Sequence, residues 1–152
     1  MADLLECVIQ IKGVADTPRR LVQRVEAWLA EVGASDGDAV ARDVVWTLAV
    51  REAWVRESLH LMLSADRPQL SPLAAVPPAS ADDRAVGAGV ERFTSQREAM
   101  IGVLDRCSAD DLNRVGLEPS RGAMTVADLV ALVLAFDTDQ LGRLVVPGTR
   151  SH

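Results

Sequence analysis

Arg97 carries the clearest chemical signal in this chain, because it interrupts an apolar helical stripe. The other members of the stripe recur at helical spacing: Val86, Val90, Phe93, Met100 and Leu104. A guanidinium in such a position must reach water or find a buried acid. Held against a carboxylate, it can either fix the register of neighbouring helices or anchor the carboxylate of a ligand.

A second polar feature follows the apolar run 129–136, where Asp137, Asp139 and Gln140 lie on one helix. Carboxylates can bind a hard cation, but two acids on adjacent faces of one helix supply few ligands. Burial raises the pKa of a carboxyl group, and a carboxylate in such a position can serve as a general acid or base. The turn is therefore a candidate for acid/base chemistry rather than for tight metal binding.

Several common chemistries have no matching motif. No Ser-His-Asp arrangement and no phosphate-binding loop is visible. Cys7 and Cys107 are far apart in sequence and read as reduced cysteines. Cys107 follows a helix end, where the helix dipole does not activate a thiolate. His60 is predicted to lie on the surface, and the remaining histidine is the terminal His152.

Charge and hydropathy argue against nucleic-acid-binding, secreted and membrane-spanning proteins. The net charge is -6, and no basic run exceeds two residues, so a nucleic-acid partner is not expected. The acidic start lacks the features of a signal peptide, and the longest apolar run is too short for a membrane span. We therefore expect a cytoplasmic protein. Fifteen of the sixteen basic residues are Arg, which resembles the codon usage of a high-GC bacterium.

Two helix starts compete in the first 33 residues. Asp3 followed by Glu6 resembles a capping box, and Thr17 with Pro18 resembles a second N-cap. Gly33 has the position of a C-terminal cap. The sequence leaves open whether one kinked helix or two pieces form here, and residues 8–11 also fit a strand.

The elements after residue 33 are predicted from helix-capping residues and from helix-breaking prolines. A long helix is predicted over about 38–64, followed by a crossover at 66–80 that contains four prolines. Ser80 with Asp83, Ser108 with Asp111, and Thr125 with Asp128 give three further capping patterns. Residues 116–122 are predicted as a loop. The result is an all-α four-helix bundle formed by one domain over 1–152, whose crossover permits a parallel or diagonal third helix.

Four features together resemble the DinB-like superfamily, which includes mycothiol-dependent transferases and isomerases. They are the helix and turn LAVREAWVRESLHLMLSADRP (Leu48–Pro68), the course ERFTSQREAMIGVLDRCSADDLNRVGLEPSRGAMTVADLV (Glu91–Val130), the motif AFDTDQL (Ala135–Leu141), and the length and helix order. The resemblance covers roughly residues 15–146. It implies a DinB-like bundle with a site at its centre.

Relatives of this kind hold one divalent metal with three histidines, two of which lie four apart on the last helix. The corresponding positions here are Thr47, Phe136 and Gln140, and none is His. Phe cannot coordinate a metal, and Thr and Gln are poor ligands for zinc or nickel. We therefore expect no metal and no cofactor.

Without the ion, the resemblance still implies a pocket facing this turn. The residues expected to line it are Thr47, Arg51, Glu52, Trp54, Arg97, Phe136, Asp137 and Gln140. Glu52, Asp137 and Arg97 are the catalytic candidates, and the other five are ligand-binding candidates. Apolar walls with a few convergent polar groups are typical of a small-molecule site.

Three functions remain open. The preferred one is a metal-free protein that binds a small organic molecule, with metal-independent acid/base catalysis in bacterial metabolism as its extension. The first alternative is a non-catalytic interaction protein that forms a homodimer, since the apolar run 129–136 is broader than one core stripe requires. The second alternative is a metal- and mycothiol-dependent S-transferase.

Overall fold

The computed structural model describes residues 3–33, 37–76 and 85–145. Within these ranges the chain forms four long helices, one short helix, a 3-10 turn and a hairpin. In chain order the elements are α1 (Leu4–Val32), α2 (Ala39–Ser64), the 3-10 turn (Leu73–Ala75), α3 (Val86–Leu104), α4 (Ala109–Leu112), β1 (Val115–Glu118), β2 (Gly122–Thr125) and α5 (Val126–Gly142). The predicted all-α four-helix bundle is confirmed, with a small hairpin added to it.

The first helix, α1, is continuous from its cap at Asp3 to Gly33. The Asp3 carboxylate accepts from two backbone N–H groups of the first turn, and Gly33 has a φ of 63°. Pro18 lies inside the helix, so the predicted second start at Thr17 is wrong, and so is the strand alternative for residues 8–11. Proline removes one helical hydrogen bond, so a carbonyl of the preceding turn is left without its usual donor.

The second helix, α2, starts and ends where the sequence predicted. Its N-cap is Asp38, whose Oδ2 accepts from the N–H of Ala41 at 3.0 Å. The same oxygen accepts from Nε1 of Trp28 at 2.9 Å. This shared acceptor ties the end of α1 to the start of α2.

The helices α2 and α3 run parallel. Glu52 of α2 forms an ion pair with Arg97 of α3. Closer to the start of both helices, Trp46 of α2 lies against Gly89 of α3. Contacts that advance in the same direction along both chains require parallel axes. A parallel neighbour cannot be reached by a tight turn, which explains why a long crossover separates these two helices.

The helices α1 and α5 form the second parallel pair. Thr17 contacts Asp137, and further along both helices Arg24 donates to the carbonyl of Leu141 at 3.1 Å. The short turn after α1 makes α1 and α2 antiparallel. Each of α1 and α2 packs on both α3 and α5, so the bundle has an up-down-down-up order.

The hairpin corrects the prediction of a loop at 116–122. Its strands β1 and β2 are antiparallel, with Val115 opposite Thr125 and Glu118 opposite Gly122. Strands of four residues are too short to show a clear alternation of apolar and polar side chains, so periodicity did not reveal them. The turn requires Gly122, whose φ is 76°.

The described part of the crossover forms backbone hydrogen bonds with this hairpin. The N–H of Leu70 donates to the carbonyl of Leu117 at 2.9 Å, and the N–H of Leu117 donates to the carbonyl of Pro68 at 2.8 Å. The buried carboxylate of Glu118 then accepts from the N–H of Leu73 at 3.1 Å. These bonds hold the end of the described crossover at one edge of the bundle.

The remaining caps agree with the sequence where they are described. Two predicted capping boxes are present, at Ser108 with Asp111 and at Thr125 with Asp128. The predicted pattern at Ser80 and Asp83 and the chain after residue 145 lie outside the described residues. Across the described ranges, no helix combines the length and apolarity that crossing a bilayer needs.

Candidate functional site

Arg97 lies at the centre of the bundle and is 1% exposed. Its Nε and Nη2 atoms donate to the two oxygens of Glu52 at 2.8 and 3.0 Å. Its Nη1 and Nη2 atoms donate to the two oxygens of Asp137 at 2.6 and 2.9 Å. The remaining hydrogen of Nη1 goes to the carbonyl of Val14 at 2.8 Å. All five N–H groups of this guanidinium are therefore used, and the expected buried ion pair involves both acids.

The Val14 carbonyl is available to Arg97 because of Pro18. In a regular helix the N–H of residue 18 would donate to the carbonyl of residue 14, but proline has no N–H. One residue earlier, the fully buried Thr17 donates its hydroxyl to Oδ2 of Asp137 at 2.6 Å. The irregular turn of α1 thus supplies one acceptor and one donor to the network.

The network contains two carboxylates and one guanidinium, so its fully ionised form carries one net negative charge. Burial raises the pKa of Glu52, Arg97 offsets part of this rise, and the charge of Asp137 adds to it. Burial also acts to lower the pKa of Arg97, but its bonds to Asp137 and Glu52 outweigh this and raise it. A proton on Glu52 would make the buried network neutral.

Arg51 is placed very differently from Arg97. Its guanidinium carbon lies 3.9 Å from the centre of the Phe136 ring, within the range of a cation–π contact. Among the described residues, its buried Nε atom has no hydrogen-bond partner. Burial lowers the pKa of Arg51. Arg51 is thus a half-buried cation that lies on an aromatic ring and is not held by a carboxylate of the described chain.

These groups border a narrow cleft between α2 and α5. Its enclosed volume is about 10 Å³, the space of a single water molecule, and about 300 Å³ when the open mouth is included. Its walls are formed by Leu48, Arg51, Glu52, Trp54, Val55, Leu73, Arg97, Leu132, Val133, Phe136 and Asp137. The crossover reaches this wall because Nε1 of Trp54 donates to the carbonyl of Ser71 at 2.9 Å.

Two of the eight predicted pocket residues do not line this cleft. Thr47 is half-buried and is not part of its wall. Gln140 is buried, but its Oε1 accepts from Nη1 of Arg143 at 3.2 Å. The same Nη1 donates to Asp43 at 2.6 Å. Arg143 therefore links α5 to α2 beside Gln140, while the other six predicted residues meet at the cleft.

The positions implied for a metal do not fit one. Phe136 offers no donor atom and is covered by the guanidinium of Arg51, while Gln140 faces the guanidinium of Arg143. A divalent cation would meet two positive groups where its ligands should be. Within the described part of the chain, no group of three or more His, Cys, Asp or Glu side chains could hold an ion.

Sequence reasoning missed the carbonyl of Val14, the hydroxyl of Thr17 and five apolar residues of the cleft wall: Leu48, Val55, Leu73, Leu132 and Val133. A signal did exist for the first, because a proline four residues later leaves a helical carbonyl without its usual donor. The others depend on contacts between separate elements, which spacing along one helix does not reveal.

Comparisons with known proteins support the four-helix-bundle fold. No protein-family model and no curated protein matches the chain. The solved structure of YfiT from Bacillus subtilis, described as a probable metal-dependent hydrolase with an unusual four-helix bundle topology, matches with a TM-score of 0.78 and 14% sequence identity. The match covers 95% of this chain and 86% of YfiT. The chain therefore has the four-helix-bundle fold of YfiT, as the resemblance of its motifs to the DinB-like superfamily predicted.

Proposed function

We propose that this protein binds a small organic acid in the cleft between α2 and α5, without a metal. The observation that carries the proposal is the state of Arg51. Its guanidinium is half-buried, lies against Phe136 and has an unbonded buried Nε among the described residues. A desolvated cation without a counter-charge gains from an anionic partner. A ligand carboxylate at the cleft mouth would supply that partner.

Arg97, the ligand anchor considered from the sequence, is less suitable. Its five N–H groups already bind Glu52, Asp137 and the Val14 carbonyl. A ligand would have to break one of these bonds and leave a buried charge unpaired. We assign Arg97 to holding the helices in register and Arg51 to meeting the ligand.

The shape and charge of the cleft favour a particular orientation of the ligand. The apolar walls include Leu48, Val55 and Val133, while the network of Glu52, Arg97 and Asp137 carries one net negative charge when it is fully ionised. The apolar body of the ligand therefore lies against the walls, and its carboxylate lies at the mouth beside Arg51. The enclosed space is so small that the side chain of Arg51 or Leu73 must move aside on binding.

We propose binding rather than catalysis as the primary role. Both oxygens of Glu52 and both oxygens of Asp137 accept charged hydrogen bonds from Arg97. These bonds position helices but leave no acid or base free at the cleft. Catalysis by Glu52, whose pKa is raised by burial, would require it to leave Arg97 when the ligand enters.

Titration with matched pairs of ligands tests this function. Aliphatic and aromatic carboxylic acids are compared with their uncharged amides by calorimetry and by thermal stabilisation. We expect at least one acid to bind more tightly than its amide, and Arg51→Gln to reduce that affinity by about 10- to 100-fold. Arg92→Gln, an exposed arginine on α3, is the matched control.

Two results would overturn the proposal: equal binding of acids and amides across the panel, or unchanged binding by the Arg51→Gln protein. The metal-free part has its own test. Stoichiometric zinc or nickel in the purified protein by elemental analysis would instead favour the metal-dependent alternatives, either thiol transfer or hydrolysis of the kind ascribed to YfiT.

A non-catalytic role in protein association is the second candidate, and a different surface favours it. Most of the apolar run 129–136 on α5 is buried or half-buried within one protomer. The large apolar side chains that the described chain leaves exposed lie mainly at the start of α1. Association would therefore involve α1, as developed below.

A further inference from the structure

The first two turns of α1 carry an apolar patch that no described part of the chain covers. It consists of Leu4, Leu5, Val8 and Ile9, with Leu5 71% and Ile9 60% exposed. These positions are spaced by one, three or four residues, so they share one broad side of the helix. Four exposed large apolar side chains on adjacent turns are typical of a surface that meets a partner.

A concave surface that could receive this patch, a groove, lies between α2 and α3. Its volume is about 790 Å³, and its floor includes Leu59, Met100 and Val103. The small residues Ala99 and Gly102 line it as well, and among the described residues no atom lies within 4 Å of a Cβ atom built at Gly102. The groove is therefore open and apolar at its base, and its width comes from small side chains.

Charges around the two surfaces are complementary. The groove is lined by Arg56 and Arg106 and by one acid, Glu57, with His60 beside them. This is a local positive balance in a chain whose net charge is -6. The patch on α1 carries Asp3 and Glu6, followed by one base, Lys12, and is locally negative. Opposite charges at the edges of two apolar surfaces steer and align their association.

Both surfaces lie at the same end of the bundle. The helices α1 and α3 pack against each other and run in opposite directions, so the start of α1 lies beside the end of α3. The groove is lined by Gly102, Val103 and Arg106 from that same end of α3. Two surfaces that flank one helix end can both be used when two copies meet around a two-fold axis.

We propose that the protein forms a symmetric homodimer in which the start of α1 from each copy lies in the α2–α3 groove of the other. Leu5 and Ile9 fill the apolar floor, and Glu6 lies among Arg56 and Arg106. The arrangement covers the exposed patch and fills the groove with the same contact, made twice. It does not depend on ligand binding at Arg51.

Sedimentation velocity over a concentration series tests the dimer with one variant on each surface. Leu5→Asp places a charge on the patch, and Gly102→Leu adds bulk to the groove at a position where a Cβ atom would meet no described atom within 4 Å. Because each change occurs twice per dimer, each should weaken dimerisation by about 100-fold or more. Gly142→Leu is the control, since it is another exposed helical glycine with open space. Circular dichroism melts show whether each variant is folded.

Mixing the two variants separates this arrangement from other dimers. An equimolar mixture of Leu5→Asp and Gly102→Leu proteins can form one intact contact, from the patch of the second to the groove of the first. We expect association to reappear in the mixture although neither variant dimerises alone. A monomeric wild-type protein, chains longer than a dimer, a Gly102→Leu dimer as strong as wild type, or no recovery on mixing would each overturn the proposal.

Discussion

The carbonyl oxygen of Val14 lies 2.8 Å from Nη1 of Arg97, although the two residues are on different helices. Val14 is four residues before Pro18, so its carbonyl has no helical donor. A guanidinium from α3 replaces the missing N–H group. The interruption in α1 and the buried charge in α3 therefore satisfy each other, and neither would be stable in the core alone.

Replacing Pro18 by Ala tests this relationship. In an ordinary helix interior, proline is less favourable than alanine by roughly 3 kcal/mol. Here the gain in unfolding free energy should be much smaller, because Arg97 already satisfies Val14 and the new N–H would compete with it. Urea denaturation gives the value. A gain near the full amount would mean that the bond from Arg97 contributes little.

Among the substitutions considered, removing the guanidinium of Arg97 should lower the free energy of unfolding the most. Arg97→Met leaves Glu52 and Asp137 buried together without a counter-charge, and we expect a loss of about 3–5 kcal/mol in unfolding free energy. Arg92→Met, on the exposed side of the same helix, should change stability by less than about 0.5 kcal/mol. Comparable losses in the two variants would contradict a special role for the buried network.

Thr17→Val removes the hydroxyl that bonds Asp137 while keeping a similar shape. A hydrogen bond to a charged group contributes roughly 1.5–3 kcal/mol, so we expect a loss in that range. Thr138 is the matched control, since it is exposed and bonds the carbonyl of Leu134 in its own helix. Thermal melts of Thr17→Val and Thr138→Val should therefore differ clearly. If they coincide, the contact with Asp137 is unimportant for stability.

The pH dependence of stability should reveal the proton affinity of Glu52. Its pKa is raised from 4.5 on folding, so the folded state binds this proton more tightly than the unfolded state does. The contribution of Glu52 is fully present below that value and is lost as pH rises through the folded-state pKa, by at most about 1.4 kcal/mol per pH unit.

Glu52→Gln removes this titration, and the difference between the two proteins isolates it from other acids. Measured by urea denaturation from acid to neutral pH, the wild type should lose stability relative to Glu52→Gln as pH increases. A difference that is constant with pH, or one that changes in the wild type's favour, would show that the pKa of Glu52 is not raised.

Close packing between α2 and α3 makes Gly89 sensitive to size. A Cβ atom there would lie 2.6 Å from Cγ2 of Val45 and 2.9 Å from Nε1 of Trp46. Gly89→Ala should therefore destabilise the protein by about 1–3 kcal/mol. Gly102→Ala on the same helix meets open space and should gain about 0.5–1 kcal/mol. Equal effects at both positions would contradict the tight contact.

Local signals in the sequence predicted much of the bundle. Asp38 and Thr125 mark helix starts that the structure confirms, because a cap acts within one turn of its own residue. Arg97 was predicted to need a buried acid, and it has two. The resemblance of motifs along the chain to the DinB-like superfamily predicted a four-helix bundle, and the likeness to YfiT confirms that fold.

The sequence failed where a residue depends on distant partners. Thr17 and Pro18 have the pattern of a helix start, but a tertiary contact to Arg97 allows the helix to continue through them. Thr47 and Gln140 were predicted to line the pocket because they align with the metal-ligand positions of the DinB-like superfamily. Such an alignment gives a position on a helix but not the contacts of the side chain. Gln140 instead bonds Arg143, three residues later, and Arg143 is in turn held by Asp43 of α2, a contact that no local pattern indicates.

The position of Trp54 has an experimental consequence. Its ring is part of the cleft wall, and its indole nitrogen is bonded to Ser71 of the crossover. The emission of an indole depends on the polarity and hydrogen bonding around it. Replacing the other two tryptophans by phenylalanine would leave a natural optical probe at the cleft, which responds in real time when a ligand enters or the crossover separates from α2.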